Sequence, residues 1–521
     1  QWGEEFCFIN NGVKIFAMGA NYIPEDQIVT RCNEEKTRKL LADCKAANYN
    51  FIRVWGGGYY PDEYFYDYCD ENGIIVWQDF MFACSAYLLT EEFEETVRGE
   101  VRDNVIRLRN HPSLGLWCGN NEIESAWEYW GLPKDEEAKR DYLIIFEDII
   151  PQVLKAYDPC ENTFYWPSSP SSGGGFKDAS SNHAGDMHYW DVWHNFKPIE
   201  AFREFYYRFC SEYGFESLPD IKTCRAFADE TKGDFDLCSS VMAAHQKCVQ
   251  GNEKIMYYLA QMVRYPYDFK KLIYSSQLVQ ADCIRSNVEH MRRARGRCMG
   301  SAYWQVNDSN PVISWSSIDY FGRWKGLHYY AKRFYAPCLI SCDDTNRKKP
   351  VLNISNERMT AFEGIVKWTL RNNKAEILQS GEKSVSVPAL TAQNVLTIDL
   401  SDELKNRTDP REKYLEYSIM ENGKVLSFGT TLFVRPKEFT FLEPAITYGI
   451  SESEDKFALT FCAENYAKSV CLSLKTADCV FSDNWFDIHG KEPVTIMIDK
   501  ASLSRKMTAQ ELSEELEIMH N

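Results

Sequence analysis

A chain of 521 residues with a formal net charge of −18 is too long for one hydrophobic core and too acidic to offer a cationic face to nucleic acid. Roughly two to four domains and a partner other than nucleic acid are therefore expected. Hydrophobic residues make up 44% of the chain, a globular proportion, and no apolar run reaches membrane-spanning length. The 18 cysteines are scattered, with no C-x-x-C and the closest pair at Cys338 and Cys342. That spacing fits neither a disulfide scaffold nor a zinc site and reads as free thiols in a reducing compartment.

Elements follow in chain order. The opening QWGEEFCFINNGVKIF reads as a hairpin entered part-way, without a signal segment, so the natural start is expected upstream. VKIFAMGANYIP is the first strand run. NEEKTRKLLADCKAA is a helix capped by Asn33, with Leu40, Leu41, Cys44 and Ala47 on one face. NFIRVWGGG is a strand ending in glycines, PDEYFYDYCDENG a helix opened by Pro61 and closed by Gly73, and GIIVWQDFMF a third strand. A helix capped by Thr90 carries Val97, Val101, Val105 and Leu108 on one stripe, and SLGLWCGNNE is the fourth strand. DYLIIFEDIIPQVLKAY is a helix, NTFYWPSS strand five, and SSPSSGGGFKDASS a loop leading to strand six, GDMHYW. A short helix at IEAFREFY precedes strand seven, RFCSEYG. A helical region from about Met256 to Arg295 then leads to strand eight, RCMGSAYWQV, and GLHYYAKRFYAP closes the set.

Eight strands alternating with helices predict an α/β fold, a (β/α)8 TIM barrel over residues 1–337. A doubly wound sheet is the alternative, but no G-x-G-x-x-G follows the first strand. After Pro337 the runs become short and alternating: VLNISNE, GIVKWTLRN, VLTIDL and YLEYSIMENGKVLSFGTTLFV, the last with a hairpin signal at Asn422–Gly423. They predict an immunoglobulin-like β-sandwich over 338–434. FALTFCAEN, VCLSLKT and PVTIMID predict a second sandwich over 435–521, ending in a helical tail, TAQELSEELEIMH.

Catalytic groups of such barrels sit at the C-terminal strand ends. The rim so defined holds Asn21, Arg53, Trp55, Asp79, Asn120, Asn121, Glu122, His188, Trp190, Glu212, Trp304, Gln305, Asn307 and Asp308. Glu122 and Glu212 end strands four and seven, which lie across the barrel mouth from each other. Two facing carboxylates are what cleavage of a glycosidic bond needs, one as acid and one as nucleophile or base. Asn121 suits a contact to a sugar hydroxyl, or an Asx cap. Trp55, Trp130, Trp190 and Trp304 suit stacking on a sugar ring, or barrel packing. Glu124 and Glu216 fall beyond the strand ends and read as structural. His183, His188 and His194 are spaced five and six apart, which fits no metal-ligand face, so neither a metal nor an organic cofactor is expected.

Longer stretches carry a resemblance. GNNE at 119–122 and SEYGFESLP at 211–219 are similar to the acid/base and nucleophile motifs of glycoside hydrolase family 2. GANYIPED, FIRVWGGGYY, VWQDFMFACSAY, NHPSLGLWCGNNE, YWQVNDSNPVISWSSIDYFGRWKGLHYYAKRFYAP and SDNWFDIHGKEPV resemble the β-mannosidase branch. The resemblance implies an exo-acting, retaining glycosidase for terminal β-mannose, with Glu122 as acid/base and Glu212 as nucleophile. Asn121, Trp55, Trp130 and Trp304 would line the subsite for the terminal sugar, with Asp79, His188 and Trp190 as further candidates. The anionic charge of Glu212 is expected to raise the pKa of Glu122. β-Mannoside oligosaccharides or glycan fragments are the implied partners.

The family also implies two sandwiches ahead of the barrel, one lending a loop to the pocket, and neither is in this sequence. Another family 2 exo-β-glycosidase, a β-galactosidase or exo-glucosaminidase, is the alternative activity, and a catalytically impaired sugar-binding fragment is the alternative outside catalysis. Asn307 lies in an N-x-S sequon at the rim, where a glycan would block the pocket; with the free thiols this favours a cytoplasmic location.

Overall fold

The computed structural model describes residues 3–131, 135–160 and 163–521. Strands β1 (Phe8–Asn10) and β2 (Val13–Ile15) form an antiparallel hairpin. Asn11 and Gly12, both at positive φ, make its two-residue turn. Eight parallel strands follow: β3 (Ala17–Tyr22), β4 (Phe51–Val54), β5 (Ile75–Asp79), β6 (Leu114–Cys118), β7 (Tyr165–Trp166), β8 (Met187–His188), β9 (Cys210–Glu212) and β10 (Gly300–Tyr303).

Their order is β7-β6-β5-β4-β3-β10-β9-β8. The first and last strands of the set are therefore neighbours, and sheet order follows chain order round a ring, as in a (β/α)8 barrel. Strands buried on both faces read as continuous apolar runs, and β3, β4 and β10 are buried at every residue. Phe51, Trp77, Leu116, Phe209 and Ala302 fill the interior together with Ala17 and Cys118. The ends of the sheet are β7 and β8. Asp186 bridges them, accepting from the Trp166 indole at 2.8 Å, the Ser169 hydroxyl at 2.6 Å and the Ser171 amide at 3.0 Å.

Helix α1 (Glu34–Ala46) starts where the Asn33 side chain accepts from the Lys36 amide, and α3 (Glu91–Leu108) where Thr90 accepts from Phe93. Between them α2 (Glu63–Asn72) ends at Gly73 in the left-handed region. The apolar stripes expected on α1 and α3 are the buried ones. A further helix, α4 (Ile123–Tyr129), follows β6 directly. The helix expected over 141–157 begins earlier and is broken: helix at Glu136–Leu143, a π turn at Ile144–Ile149, and helix again at Ile150–Tyr157. Pro151 has no N–H to give the carbonyl four residues back, and the wider turn accommodates that gap.

Strand five is shorter than expected, and Asn162 of its predicted run lies outside the described residues. Among the described residues a loop, not a helix, joins β7 to β8; its three consecutive glycines, 173–175, all have positive φ. The helical region predicted from Met256 to Arg295 is two helices, Gly251–Met262 and Phe269–Arg293, separated around Pro266, which cannot continue a helix.

The chain divides into two compact units, Gln1–Phe215 with Ser286–Asn310 and Glu216–Arg285 with Pro311–Asn521. All eight barrel strands belong to the first. In the second, sheets β11 (Cys338–Asp343), β12 (Val351–Asn356), β15 (Thr391–Thr397) and β14 (Ile377–Val387), β13 (Phe362–Asn372), β16 (Lys413–Glu421), β17 (Lys424–Leu432) form a sandwich. Its core holds Leu352, Ile354, Phe362, Val366, Leu415 and Ile419, and the Asn422–Gly423 turn has positive φ at both residues. Strands β18 (Thr447–Glu452), β19 (Lys456–Cys462), β22 (Val494–Asp499) and β21 (Phe486–His489), β20 (Tyr466–Leu474), β23 (Leu516–Met519) make the second. The predicted helical tail is a helix only over Ala509–Glu515. LEIM after it is β23, where Leu516–Met519 pairs with Cys471–Leu474 and the ladder overrides helix propensity. Among the described residues no helix is long and apolar enough to cross a membrane.

Candidate active site

At the centre of the strand ends lies Arg53, the one charged residue in the run FIRV of β4, wholly buried. Its guanidinium donates to Asp79 on β5 at 2.8 and 3.3 Å, to Asn21 on β3 at 2.7 Å, to Asn121 after β6 at 2.7 Å and to Glu212 on β9 at 2.6 Å. A buried cation is tolerable only when its donors are matched by opposite charge. Burial works against the charged guanidinium, but Asp79 and Glu212 outweigh it and hold Arg53 well above its ordinary pKa. Sequence reasoning placed Arg53 at the rim without a role; an arginine interrupting an otherwise apolar strand was the available signal.

The NNE triplet is pinned from both sides. Asn120 is structural: its side chain accepts from the Ile123 amide at 3.1 Å and the Ser168 hydroxyl at 2.8 Å and donates to the Pro167 carbonyl at 2.9 Å. The Asn121 amide donates to the Phe82 carbonyl at 2.9 Å and the Glu122 amide to the Ser169 carbonyl at 2.7 Å. Glu122 itself has φ 61° and ψ 11°, a left-handed conformation uncommon for a residue with a Cβ and typical of held, functional positions. Gly119 leaves no room for a side chain, since an added Cβ would lie 2.3 Å from the Pro167 carbonyl oxygen.

The two glutamates meet. Glu122 Oε1 is 2.7 Å from His188 Nδ1, and Glu212 Oε2 is 3.4 Å from the same nitrogen. One carboxylate oxygen from each and the imidazole nitrogen all lie within 4.8 Å of one another. Such a spacing matches glycosidases in which the second carboxylate attacks the sugar, where the carboxyl groups stand about 5–5.5 Å apart. Burial raises the pKa of Glu122 to about 7, with Arg53 pulling the other way. The rise was expected from the charge of Glu212; its main cause is instead desolvation. Glu212 is also raised, by burial first, with His188 and Arg53 opposing and Glu122 adding. Burial pushes His188 down to about 4.

The other predicted positions separate. Trp55 and Trp304 meet edge to face, ring centroids 5.0 Å apart, at the ends of β4 and β10. Trp190 follows β8, half-buried, with its ring 5.1 Å from that of His194. Trp130 ends α4 and is 50% exposed; among the described residues no ring contact or side-chain hydrogen bond joins it to the carboxylates. Asp79 is a correction: its oxygens accept from Arg53, the Gly56 amide at 3.0 Å and the Trp77 indole at 2.9 Å. Wholly buried, it is the counter-ion behind the site and not a sugar-facing group. Asn121 Nδ2 donates to Cys84 Sγ at 3.3 Å, and Cys84 Sγ lies 3.8 Å from Glu122 Oε2, a thiol the sequence gave no reason to place there. Asn307 is buried, its side-chain amide exchanging bonds with the Ile23 backbone at 2.9 and 3.3 Å, so its sequon is not presented to solvent.

Among the described residues two groups have metal-ligand geometry: Asp67, Asp70 and His111 at the surface, and Glu122, His188 and Glu212 in the site. In the first, His111 is already ion-paired with Asp70 at 2.7 Å and Glu63 at 3.1 Å. In the second, Arg53 supplies the positive charge a metal would bring.

Residues 349–438 match a family model described as Mannosidase Ig/CBM-like domain, and 441–521 one described as Ig-fold domain. Beta-mannosidase B of Aspergillus fumigatus is 33% identical over 519 residues, covering 93% of this chain and 60% of the relative. Beta-mannosidase of Capra hircus is 36% identical over 361 residues, 65% of this chain and 40% of the relative. The crystal structure of Beta-D-Mannosidase from Dictyoglomus thermophilum matches at TM-score 0.91 and 30% identity, covering 100% of this chain and 62% of that one. The exo-chitosanase CsxA of Amycolatopsis orientalis, at TM-score 0.73 and 16% identity over 98% of this chain and 63% of that one, shares the fold. The chain spans about three-fifths of the length of the Aspergillus relative, 60%. With the two glutamate motifs at strand ends of this fold, the chain is similar, over nearly all of its own length, to the β-mannosidases of glycoside hydrolase family 2.

Proposed function

We propose that this chain carries the catalytic barrel of a retaining exo-glycosidase that removes terminal non-reducing β-D-mannose. The supporting observation is that Glu122 and Glu212 each bring a carboxylate oxygen within 4.8 Å of the other's. Glu212, ionised against Arg53 at 2.6 Å, attacks the anomeric carbon while Glu122 gives its proton to the departing oxygen. The mannosyl–Glu212 ester is then hydrolysed by a water that Glu122 deprotonates. Glu122, with a pKa of about 7, is suited to both steps near neutrality. Arg53 holds the attacking oxygen of Glu212, and the Asn121 amide, oriented by Arg53 and Cys84, is placed to meet the 2-hydroxyl. Trp55, Trp304, Trp190 and Trp130 are the proposed sugar-stacking surfaces, and His188 a further contact of the pocket.

The same proposal divides the chain at 337 and 434, which the family models at 349–438 and 441–521 support. It places the chain in the cytoplasm, which the eighteen free cysteines support. Its substrates are β-mannoside oligosaccharides or glycan fragments. The decisive experiment is inactivation with 2-deoxy-2-fluoro-β-mannosyl fluoride followed by peptide mapping. A label on Glu212 is expected; a label on another carboxylate, or turnover of p-nitrophenyl β-galactoside or β-glucosaminide in preference to the mannoside, overturns the proposal. A second reading, a sugar-binding fragment without turnover, draws on the chain's shorter span; mannose bound in crystals with no labelling and no hydrolysis would establish it.

A further inference from the structure

We infer that Asp186, which hydrogen-bonds neither catalytic glutamate, fixes which ring nitrogen of His188 carries the proton and thereby keeps Glu122 in its acid form. Asp186 stands two residues before His188, so in extended chain the two share a face. Its Oδ1 accepts from the Trp166 indole and the Ser171 amide, groups that can only donate. Its Oδ2 accepts from the hydroxyls of Ser169, at 2.6 Å, and Ser211. Four donors fill the acceptor capacity of an ionised carboxylate.

The rest is proton counting. A hydroxyl has one hydrogen, and the 2.6 Å approach of Ser169 Oγ to Asp186 requires it to lie between them. Ser169 Oγ therefore faces His188 Nε2, at 3.0 Å, with a lone pair only, and Nε2 must supply the hydrogen. A neutral imidazole has a single N–H, and burial keeps this ring neutral. Nδ1 is thus an acceptor, 2.7 Å from Glu122 Oε1. Two acceptors do not approach so closely, so the hydrogen between them belongs to Glu122.

The relay runs one way: Glu122 donates to His188, His188 to Ser169, and Ser169 to Asp186. The ionisable groups facing Glu122 are His188, Cys84, Glu212 and Arg53, and those facing His188 are the two glutamates, Arg53 and, through Ser169, Asp186. His188 and Asp186 are in this sense positioning residues. The assignment rests on this geometry together with a neutral His188 ring, and its catalytic consequence rests on Glu122 being the acid/base.

The test reads the tautomer first. Long-range proton–nitrogen NMR on chain labelled with nitrogen-15 histidine separates Nδ1–H from Nε2–H, and His188→Gln identifies the signal among the nine histidines. Below the Glu122 transition the Nε2–H form is expected. Asp186→Asn, whose amide can donate to Ser169, should reverse it to Nδ1–H, and Ser169→Ala, which leaves Asp186 in place, should give a mixture. An Nδ1–H ring in the unaltered chain, or an unchanged tautomer in folded Asp186→Asn and Ser169→Ala, overturns the inference. In turnover, either variant should move the basic limb of the kcat/KM profile to lower pH. It should slow alkyl β-mannosides by about tenfold or more, and spare dinitrophenyl β-mannoside, whose leaving group needs no acid. Equal losses on both substrates would instead indicate a merely structural role. If the unaltered chain hydrolyses neither, the tautomer still decides this inference, and the failure falls on the acid/base proposal.

Discussion

Arg53 is the residue on which the site's electrostatics turn. It offsets Asp79 and Glu212 together, orients Asn121, and is itself sealed from solvent. Lysine keeps the charge but cannot reach four partners with a planar fork. Arg53→Lys should therefore lower kcat by about 10²-fold or more, a loss comparable to that of a preorganised charge-stabilising donor, with KM changed less; steady-state kinetics on p-nitrophenyl β-mannoside checks it. The pH profile belongs to the same scale. On the proposed mechanism hydrolysis needs Glu212 ionised and Glu122 protonated, so activity should rise as Glu212 deprotonates and fall as pH climbs through about 7, where Glu122 loses its proton. Glu122→Gln should abolish that basic limb and cost about 10²–10⁴-fold on substrates with poor leaving groups.

At the scale of elements, the proposed acid/base depends on how β6 ends. Gly119 lies against the Pro167 carbonyl and the Tyr165 hydroxyl, 2.3 and 2.4 Å from where a Cβ would be. Gly119→Ala should destabilise the protein by about 1–3 kcal/mol, as overpacking does, and displace Glu122; a lowered melting temperature with reduced kcat is the expected pair of results. The strands and most of the early helices were legible because their signals are local: caps at Asn33 and Thr90, the stripe from Val97 to Leu108, the glycine after Asn72. The strand LEIM was not, since its pairing with 471–474 is decided by a partner distant in sequence; the π turn had a local signal in Pro151, but a proline inside a helical run does not say whether the helix kinks, ends or widens. The same limit applied to the site. Glu122 and Glu212 are legible as motif residues at strand ends. The roles of Arg53 and Asp186, and the placing of Asp79 behind Arg53, depend on side chains converging from six strands and the turns beside them.

At the scale of the whole molecule, buried carboxyl groups set how stability responds to pH. Glu122 and Glu124 both have pKa values raised by burial to about 7. A raised carboxyl pKa means the native state binds its proton more tightly than the unfolded chain does. The stabilising contribution is full below the unfolded value near 4.5 and is lost as pH rises through about 7. For Glu124 alone the shift corresponds to on the order of 3 kcal/mol. Melting temperature should therefore fall from about pH 5 to pH 8, and Glu124→Gln should flatten that slope while leaving the Glu122 limb of the activity profile in place; scanning calorimetry across the range checks it. The bridge between β7 and β8 has a last implication. Where other neighbouring strands of the ring are laced by ladders of backbone amides, this joint has the Asp186 amide on the Ser171 carbonyl at 3.2 Å and, beside it, the donors gathered by the Asp186 carboxylate. The rivet that helps close the ring is also the group inferred to settle where a proton resides, so a change at Asp186 should touch mechanical integrity and acid strength together.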